Sequence, residues 1–172
     1  MDAYDAVVTK LDVAEFSPKN VPSEVKLKIL EAARLSGSGM NVQHWRFILV
    51  QGSDRLRTLA NDSTTGQWVG GANFAVIVVT NPKYGFHLLD AGRAITSMQI
   101  AAWNFGVVSR IFTGINREAL EKDFSIPKDR SASVIVGFGY PATTILGKKK
   151  RSPLNEMAFL DRFGKPLAPD QL

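Results

Sequence analysis

Ser36-Gly37-Ser38-Gly39-Met40-Asn41-Val42-Gln43-His44-Trp45 separates two segments of different periodicity, and its place between them sets the reading of the whole chain. Ahead of it, Pro22 stands where a helix begins, and Val25, Ile29, Ala32 and Ala33 follow at i, i+4, i+7 and i+8, the spacing of one amphipathic face. Gly37 and Gly39 stop that helix. Residues 45–51, Trp-Arg-Phe-Ile-Leu-Val-Gln, then read as a buried strand. The stretch itself sets glycines, serines, an asparagine and a glutamine directly before a core strand, so backbone and short polar groups can approach a bound ligand closely. A plain helix-to-strand connection has the same composition, and composition alone does not separate the two.

Working outward, Ser53 is placed to cap a short helix through Leu59, and residues 61–67 form a polar loop. Residues 74–80 are almost continuously apolar and belong at the centre of a sheet. Residues 85–105 carry Ala91, Ile95, Met98, Ala102 and Phe105 on one helical face, and Leu88, Leu89, Ala94 and Ala101 widen that face beyond that of an ordinary surface helix. Such a helix must be buried on most sides, either between two subunits or as a central core helix. A third strand spans residues 133–138, Gly139-Tyr140-Pro141 turns the chain, and the basic run Lys148-Lys149-Lys150-Arg151 precedes a short helix. The tail, residues 161–172, is polar and Pro-rich, so it either frays or lies on a partner. Strands separated by helices indicate an α/β or α+β sheet with helices packed on it. Residues 1–172 read as one domain, without internal repeat or linker.

Composition narrows the chemistry. The 172 residues are 45% hydrophobic and 22% charged, an ordinary globular balance. Cysteine is absent, which removes disulfides, thiolate metal sites and redox-active thiols, so a redox role requires a borrowed cofactor. His44 and His87 are the only imidazoles, with no carboxylates at metal-ligand spacing, and no metal site is expected. The amino terminus lacks a positively charged, apolar leader, and Asp90, Arg93, Gln99 and Asn104 interrupt the longest apolar stretch, so no membrane association and a cytoplasmic location are expected. A net charge of +5 favours an anionic partner: a phosphate, a nucleotide or nucleic acid. The run at residues 148–151 fits a solvated patch, a nucleic-acid or localisation signal, or a phosphate clamp in which Arg151 holds oxygens bidentately. No aromatic-rich basic motif accompanies it, and nucleic acid is not the expected partner. Gly137-Phe138-Gly139-Tyr140-Pro141-Ala142 superficially fits a dinucleotide fingerprint, but Pro141 interrupts it and no amphipathic helix follows. Gly37-Ser38-Gly39 follows a helix rather than a strand and is no nucleophile elbow.

Taken in order, these elements resemble the FMN-dependent nitroreductase family over about residues 4–159. The residues that carry the resemblance are Val21-Pro22, then Ile29-Leu30-Glu31-Ala32-Ala33-Arg34, then the Ser-rich loop with Asn41, Gln43 and Trp45. Asp90, Gly92, Ala94, Met98, Ala101, Ala102 and Gly106 fall as in the family's long central helix, and Gly139-Tyr140-Pro141 with Lys149 and Arg151 as in its closing signature. Each motif is weak alone; their order is specific.

The resemblance implies an α+β fold with a central mixed sheet flanked by helices, in an intertwined homodimer with FMN in the subunit interface and the carboxy-terminal tails wrapped around the partner. It implies hydride transfer from NADH or NADPH to FMN, then to a nitroaromatic, a quinone or a similar flat acceptor in the same pocket, with the flavin carrying the chemistry and no side chain acting as acid or base. By match to the family motifs, Lys10 with Leu11 and Asp12, and Lys149 with Arg151, are the expected phosphate contacts. Ser38 and Asn41, with Gln43 close by, are expected from the opposite subunit, the amide side chains of Asn41 and Gln43 suiting the alternating donors and acceptors of a flavin edge. Thr113-Gly114 occupies the place of the backbone amides that meet the flavin N5 and O4 edge, and Gln67 is a candidate for the pyrimidine edge. Two departures stand out. The family's first motif is commonly Arg-Arg-Ser-x-Arg, whereas this chain has Lys10, Leu11, Asp12 and Ala14, setting a carboxylate where a hydroxyl would meet phosphate. His44 replaces the usual proline before Trp45, which would loosen the loop or add a donor to the pocket. The altered first motif also motivates the alternative of a non-catalytic FMN-binding protein of the same fold, and a basic nucleic-acid-binding protein using residues 148–151 ranks behind it.

Overall fold

The computed structural model describes residues 2–167. In chain order it contains α1 (Ala3–Thr9), α2 (Ser23–Arg34), β1 (Arg46–Gln51), α3 (Ser53–Asn61), β2 (Phe74–Thr80), α4 (His87–Asn104), β3 (Val108–Phe112), α5 (Arg117–Asp123), β4 (Ser131–Gly139) and α6 (Leu154–Met157), with short 3₁₀ turns at Gly39–Asn41 and Gln67–Gly71. Residues 168–172 of the expected tail lie outside the described residues.

The strands form one sheet in the order β1-β2-β4-β3, each neighbouring pair antiparallel. The parallel component of the expected mixed sheet is confined, among the described residues, to the isolated bridge between Asp12 and Ser109. All seven residues of β2 are buried. Their side chains alternate between two cores: Phe74, Val76 and Val78 pack with α2 and α4, whereas Ala75, Ile77 and Val79 pack under α3 and α5. An antiparallel sheet often leaves one face wet; helices on both faces here explain why β2 reads as an unbroken apolar run. Across the β2–β4 ladder, Phe74 faces Phe138 in register and the rings stack with centroids 4.8 Å apart.

Several expectations shift. The strand expected to be buried at residues 45–51 is an edge strand, half-buried, and begins at Arg46. Ser53 is the first residue of α3, and Gly52 holds the cap position without a side-chain bond. Beyond Gly139 the chain stays extended instead of turning away: Ser17 N–H donates to the Tyr140 carbonyl at 2.8 Å and Ala142 N–H to Glu15 at 3.1 Å. β3 and α5 were not legible as elements; Asn116 caps α5 by accepting from Ala119 N–H. Within the single chain α4 buries one face, which leaves the other free for the expected second subunit. Ala91, Ala94, Ile95, Met98 and Ala102 enter the core, whereas Leu88 and Leu89 remain 61% and 67% exposed beside Gly92 and Thr96.

Candidate functional site

Two ends of the chain meet at the carboxy-terminal end of α1. Lys10 caps that helix, and Lys10, Leu11 and Asp12 line a cleft of about 400 Å³ together with Lys148, Lys149, Lys150 and Arg151. Lys149 is half-buried and donates from Nζ to the Val7 carbonyl, which ties the basic run to α1. Arg151 is exposed and donates from Nη1 to the Lys150 carbonyl at 2.7 Å. The cleft thus gathers cations from positions 10, 148, 149, 150 and 151 around a single carboxylate, Asp12. Lys148 and Lys150 belong to this lining although the motif match did not include them.

Asp12 is fixed from several sides. It bridges Ser109 of β3 in parallel, and Val13 N–H donates to the Ser109 carbonyl at 3.0 Å. Its Oδ1 accepts from Lys10 Nζ at 2.6 Å and from Gln99 Nε2 at 3.1 Å, and the same Gln99 amide reaches Ser109 Oγ at 3.1 Å. Gln99 therefore links α4, the first segment and β3 in one network; nothing local in its sequence marks it.

The second group, Ser38, Asn41 and Gln43, lies on the loop before β1. Ser38 Oγ accepts from Gln43 N–H at 3.0 Å, and Gln43 Nε2 donates to Asn41 Oδ1 at 3.1 Å, so the two amide side chains face each other. The loop is anchored at Asp90 in the first turn of α4, whose two oxygens accept from Gly39 N–H at 3.1 Å each. His44, the residue replacing the usual proline, turns into the interior of its own chain. It is buried, with Nε2 3.1 Å from Asp90 Oδ2. Asp90 and Gln99 are nine residues apart on α4, so the two groups are anchored about 14 Å apart along one chain. The structure does not bring Ser38, Asn41 and Gln43 together with Lys10, Lys149 and Arg151.

The third group, Gln67, Thr113 and Gly114, sits at the far end of β3, about 14 Å along the strand from Ser109. Two loops are stitched together here. Thr64 N–H donates to the Gly114 carbonyl at 2.8 Å, Asn116 N–H to Asp62 at 2.7 Å, and Ser63 bridges Ile115. Gln67 is exposed and commits its amide to the Ser63 carbonyl at 3.0 Å. A Cβ on Gly114 would lie 2.3 Å from Thr65 Oγ1 and 2.6 Å from Thr64 Oγ1, so a side chain here would force those threonines to shift. Beneath the junction, burial pushes the Asp62 carboxyl above its ordinary range, the Asp123 charge adds to the shift, and Arg55 opposes it.

The donor set at the cleft suits a phosphate: several cations converge from distant positions, Lys10 and Lys149 half-buried, and charge-assisted contacts to phosphate oxygens are worth about 1.5–3 kcal/mol each. No helix among the described residues is long and apolar enough to cross a membrane.

Comparison with known proteins agrees with this architecture. A provisionally named NADH dehydrogenase/NAD(P)H nitroreductase of Methanothermobacter thermautotrophicus is 28% identical over 151 residues, 83% of this chain and 78% of that protein. A structure from Bacteroides thetaiotaomicron VPI-5482 bearing the same provisional name has a TM-score of 0.86 at 22% identity, covering 94% of this chain and 98% of the other. An FMN-dependent nitroreductase from Clostridium difficile R20291 has a TM-score of 0.83 at 20% identity, covering 90% and 96%. These two structures share the fold. The sequence model of the nitroreductase family matches residues 13–80 and 61–140, spanning the loop at Asn41, the central helix and β4, and on that match the chain belongs to the nitroreductase family.

Proposed function

We propose that this chain is an FMN-dependent oxidoreductase that takes hydride from NADH or NADPH and delivers it to a nitroaromatic, a quinone or a similar flat acceptor. The observation that carries the proposal is the cationic cleft, where Lys10 meets Lys149 and Arg151 across almost the whole length of the chain. In this reading Lys149 and Arg151 hold the FMN phosphate, and Lys10 adds its charge once released from Asp12. Bound FMN supplies a site that accepts hydride from the reduced nicotinamide and gives it to the acceptor. The backbone at Thr113-Gly114 orients the ring edge, and Thr64 and Thr65, packed against Gly114, keep that backbone in place. With no ionisable side chain assigned as acid or base, the protein's part is to bind, orient and exclude water.

The reading includes a homodimer. Leu88 and Leu89 on α4 are adjacent exposed leucines, and Tyr4, Val7 and Val8 on α1 are exposed as well, apolar surface that a second copy would cover. A second copy also supplies what one chain separates, because Ser38, Asn41 and Gln43 then reach a flavin whose phosphate sits in the partner's cleft. Cytoplasmic location goes with this reading.

Spectroscopy of the purified protein tests it. A yellow protein that NADH or NADPH bleaches anaerobically supports the reductase, and no flavin uptake at micromolar concentration overturns it. A second reading, FMN binding without turnover, is favoured by one observation: Asp12 holds Lys10 at 2.6 Å inside the cleft. Flavin that binds and resists both nucleotides would select it.

A further inference from the structure

Three non-glycine residues of the Ser38–Gln43 loop adopt left-handed backbone: Met40 (φ 48°), Asn41 (φ 55°) and Gln43 (φ 47°). L side chains disfavour this region, so surrounding contacts must hold the loop there. Both ends of the strained segment are bound to one buried carboxylate. At the front, Gly39 N–H donates to Asp90 Oδ1 and Oδ2 at 3.1 Å each, and a Cβ on Gly39 would lie 2.6 Å from the Phe86 ring. At the back, His44 Nε2 lies 3.1 Å from Asp90 Oδ2. The tautomer follows from the opposite edge of the ring. His44 Nδ1 accepts from Asn81 N–H at 3.4 Å, which leaves the proton on Nε2 to donate to Asp90. Arg130 Nη1 donates to the His44 carbonyl at 3.1 Å, Arg93 stands 3.8 Å from Asp90 Oδ1, and the imidazole packs among Trp45, Tyr84 and Phe86. Asp90 is fully buried and His44 4% exposed.

We infer that His44 and Asp90 form a latch that closes residues 39–44 into a fixed loop and thereby aims Asn41 and Gln43, making both positioning residues for the flavin contact. The inference rests on the reading of Asn41 and Gln43 as flavin-contacting groups. Proline at position 44 could fix the backbone by its ring alone; histidine does so through Asp90, so this chain obtains loop rigidity from a polar pair that substitutions can break and restore.

The test has two parts. In the unmodified protein, amide hydrogen exchange read at single residues should find the Gly39 amide at least about tenfold slower than that of Met40, because a buried carboxylate holds it; an equally fast Gly39 amide overturns the latch. FMN titration by fluorescence quenching, at a temperature well below each protein's Tm, then compares His44→Ala, His44→Gln and Asp90→Asn with the unmodified chain. His44→Ala and Asp90→Asn should weaken binding by about tenfold or more, since each removes a charge-assisted bond at the latch, and His44→Gln, which keeps a donor, should stay within about threefold. Equal affinities for His44→Ala and the unmodified chain overturn the inference while leaving the FMN reading intact. An unmodified chain that takes up no FMN removes the proposed function, and the exchange measurement still decides the latch. If His44→Ala lowers Tm without changing affinity, His44 is only a core residue.

Discussion

Lys10 Nζ stands 2.6 Å from Asp12 Oδ1 in a cleft whose other charged groups are all cations, so one of the groups placed to meet a phosphate is already engaged by a carboxylate. The Lys10 side chain is 14% exposed and that of Asp12 55%, which puts the pair in partly screened surroundings where an ion pair is worth about 0.2–1 kcal/mol. Any phosphate that recruits Lys10 must overcome that amount and the repulsion of Asp12. Asp12→Ser, which installs the family's hydroxyl, should therefore tighten FMN binding by about two- to fivefold. Titration at low and high salt checks this, with the gain shrinking at high salt; weaker binding in the variant would show that Asp12 supports the cleft through Gln99 and Ser109 more than it opposes the phosphate.

Within the basic run, burial separates residues that sequence makes equivalent. Lys149 is half-buried and tied to α1 through Val7, whereas Lys148, Lys150 and Arg151 are exposed. Replacing Lys149 and Arg151 together with alanine should weaken FMN by about ten- to a hundredfold, the loss of charge-assisted contacts to phosphate. Replacing Lys148 and Lys150 should cost about threefold or less, a screened long-range effect. Equal losses in the two double variants would refute the assignment of Lys149 and Arg151.

What could be read beforehand follows from where each signal lives. β2 was legible to the residue because burial on both faces leaves a local mark, seven apolar or small residues in a row. β1 carries a similar run, Phe47 to Val50, yet lies at the sheet edge; strand order depends on partners that no local pattern names. β3 was missed because Ser109 and Arg110 interrupt its apolar residues, Ser109 being buried against Gln99 while Arg110 lies over Trp68. The cleft depends on contacts such as Val7 with Lys149 and Asp12 with Gln99, 142 and 87 positions apart, and only family likeness pointed to some of them. Lys148, Lys150 and Gln99 carry no such mark. The contact of His44 with Asp90, a residue 46 positions away, likewise carries no local mark.

Asp62 links stability to pH. Its folded-state carboxyl is raised above the ordinary value of 3.8 by burial, and Oδ2 has no hydrogen-bond partner among the described residues. A raised carboxyl means that the native state holds its proton to higher pH than the unfolded chain does. Stability contributed at this site is therefore greatest in acid and falls as pH rises from the unfolded value through the folded one. Asp62→Asn should accordingly be more stable than the unmodified chain at pH 7, with the difference shrinking towards pH 4. Urea denaturation across that range measures it; a difference independent of pH would assign the effect to packing instead.

The exposed leucines of α4 give the sharpest test of assembly. Leu88 and Leu89 stand at 61% and 67% exposure next to Gly92, whose missing side chain lets another backbone come close. Covering a leucine fully is worth about 1.5–3 kcal/mol, so a face with two of them favours association when two copies meet. The unmodified chain should sediment as a dimer at micromolar concentration. Leu88→Lys with Leu89→Lys should yield a folded monomer, since neither side chain belongs to the core of its own subunit. That monomer keeps the whole cationic cleft but has no second copy to bring Ser38, Asn41 and Gln43 to the flavin. FMN affinity should therefore fall by about tenfold or more, a loss similar to that expected from opening the latch at His44. If the monomer binds FMN as tightly as the dimer, the phosphate cleft alone accounts for binding, and the loop before β1 is a connection between α2 and the sheet edge rather than a flavin contact.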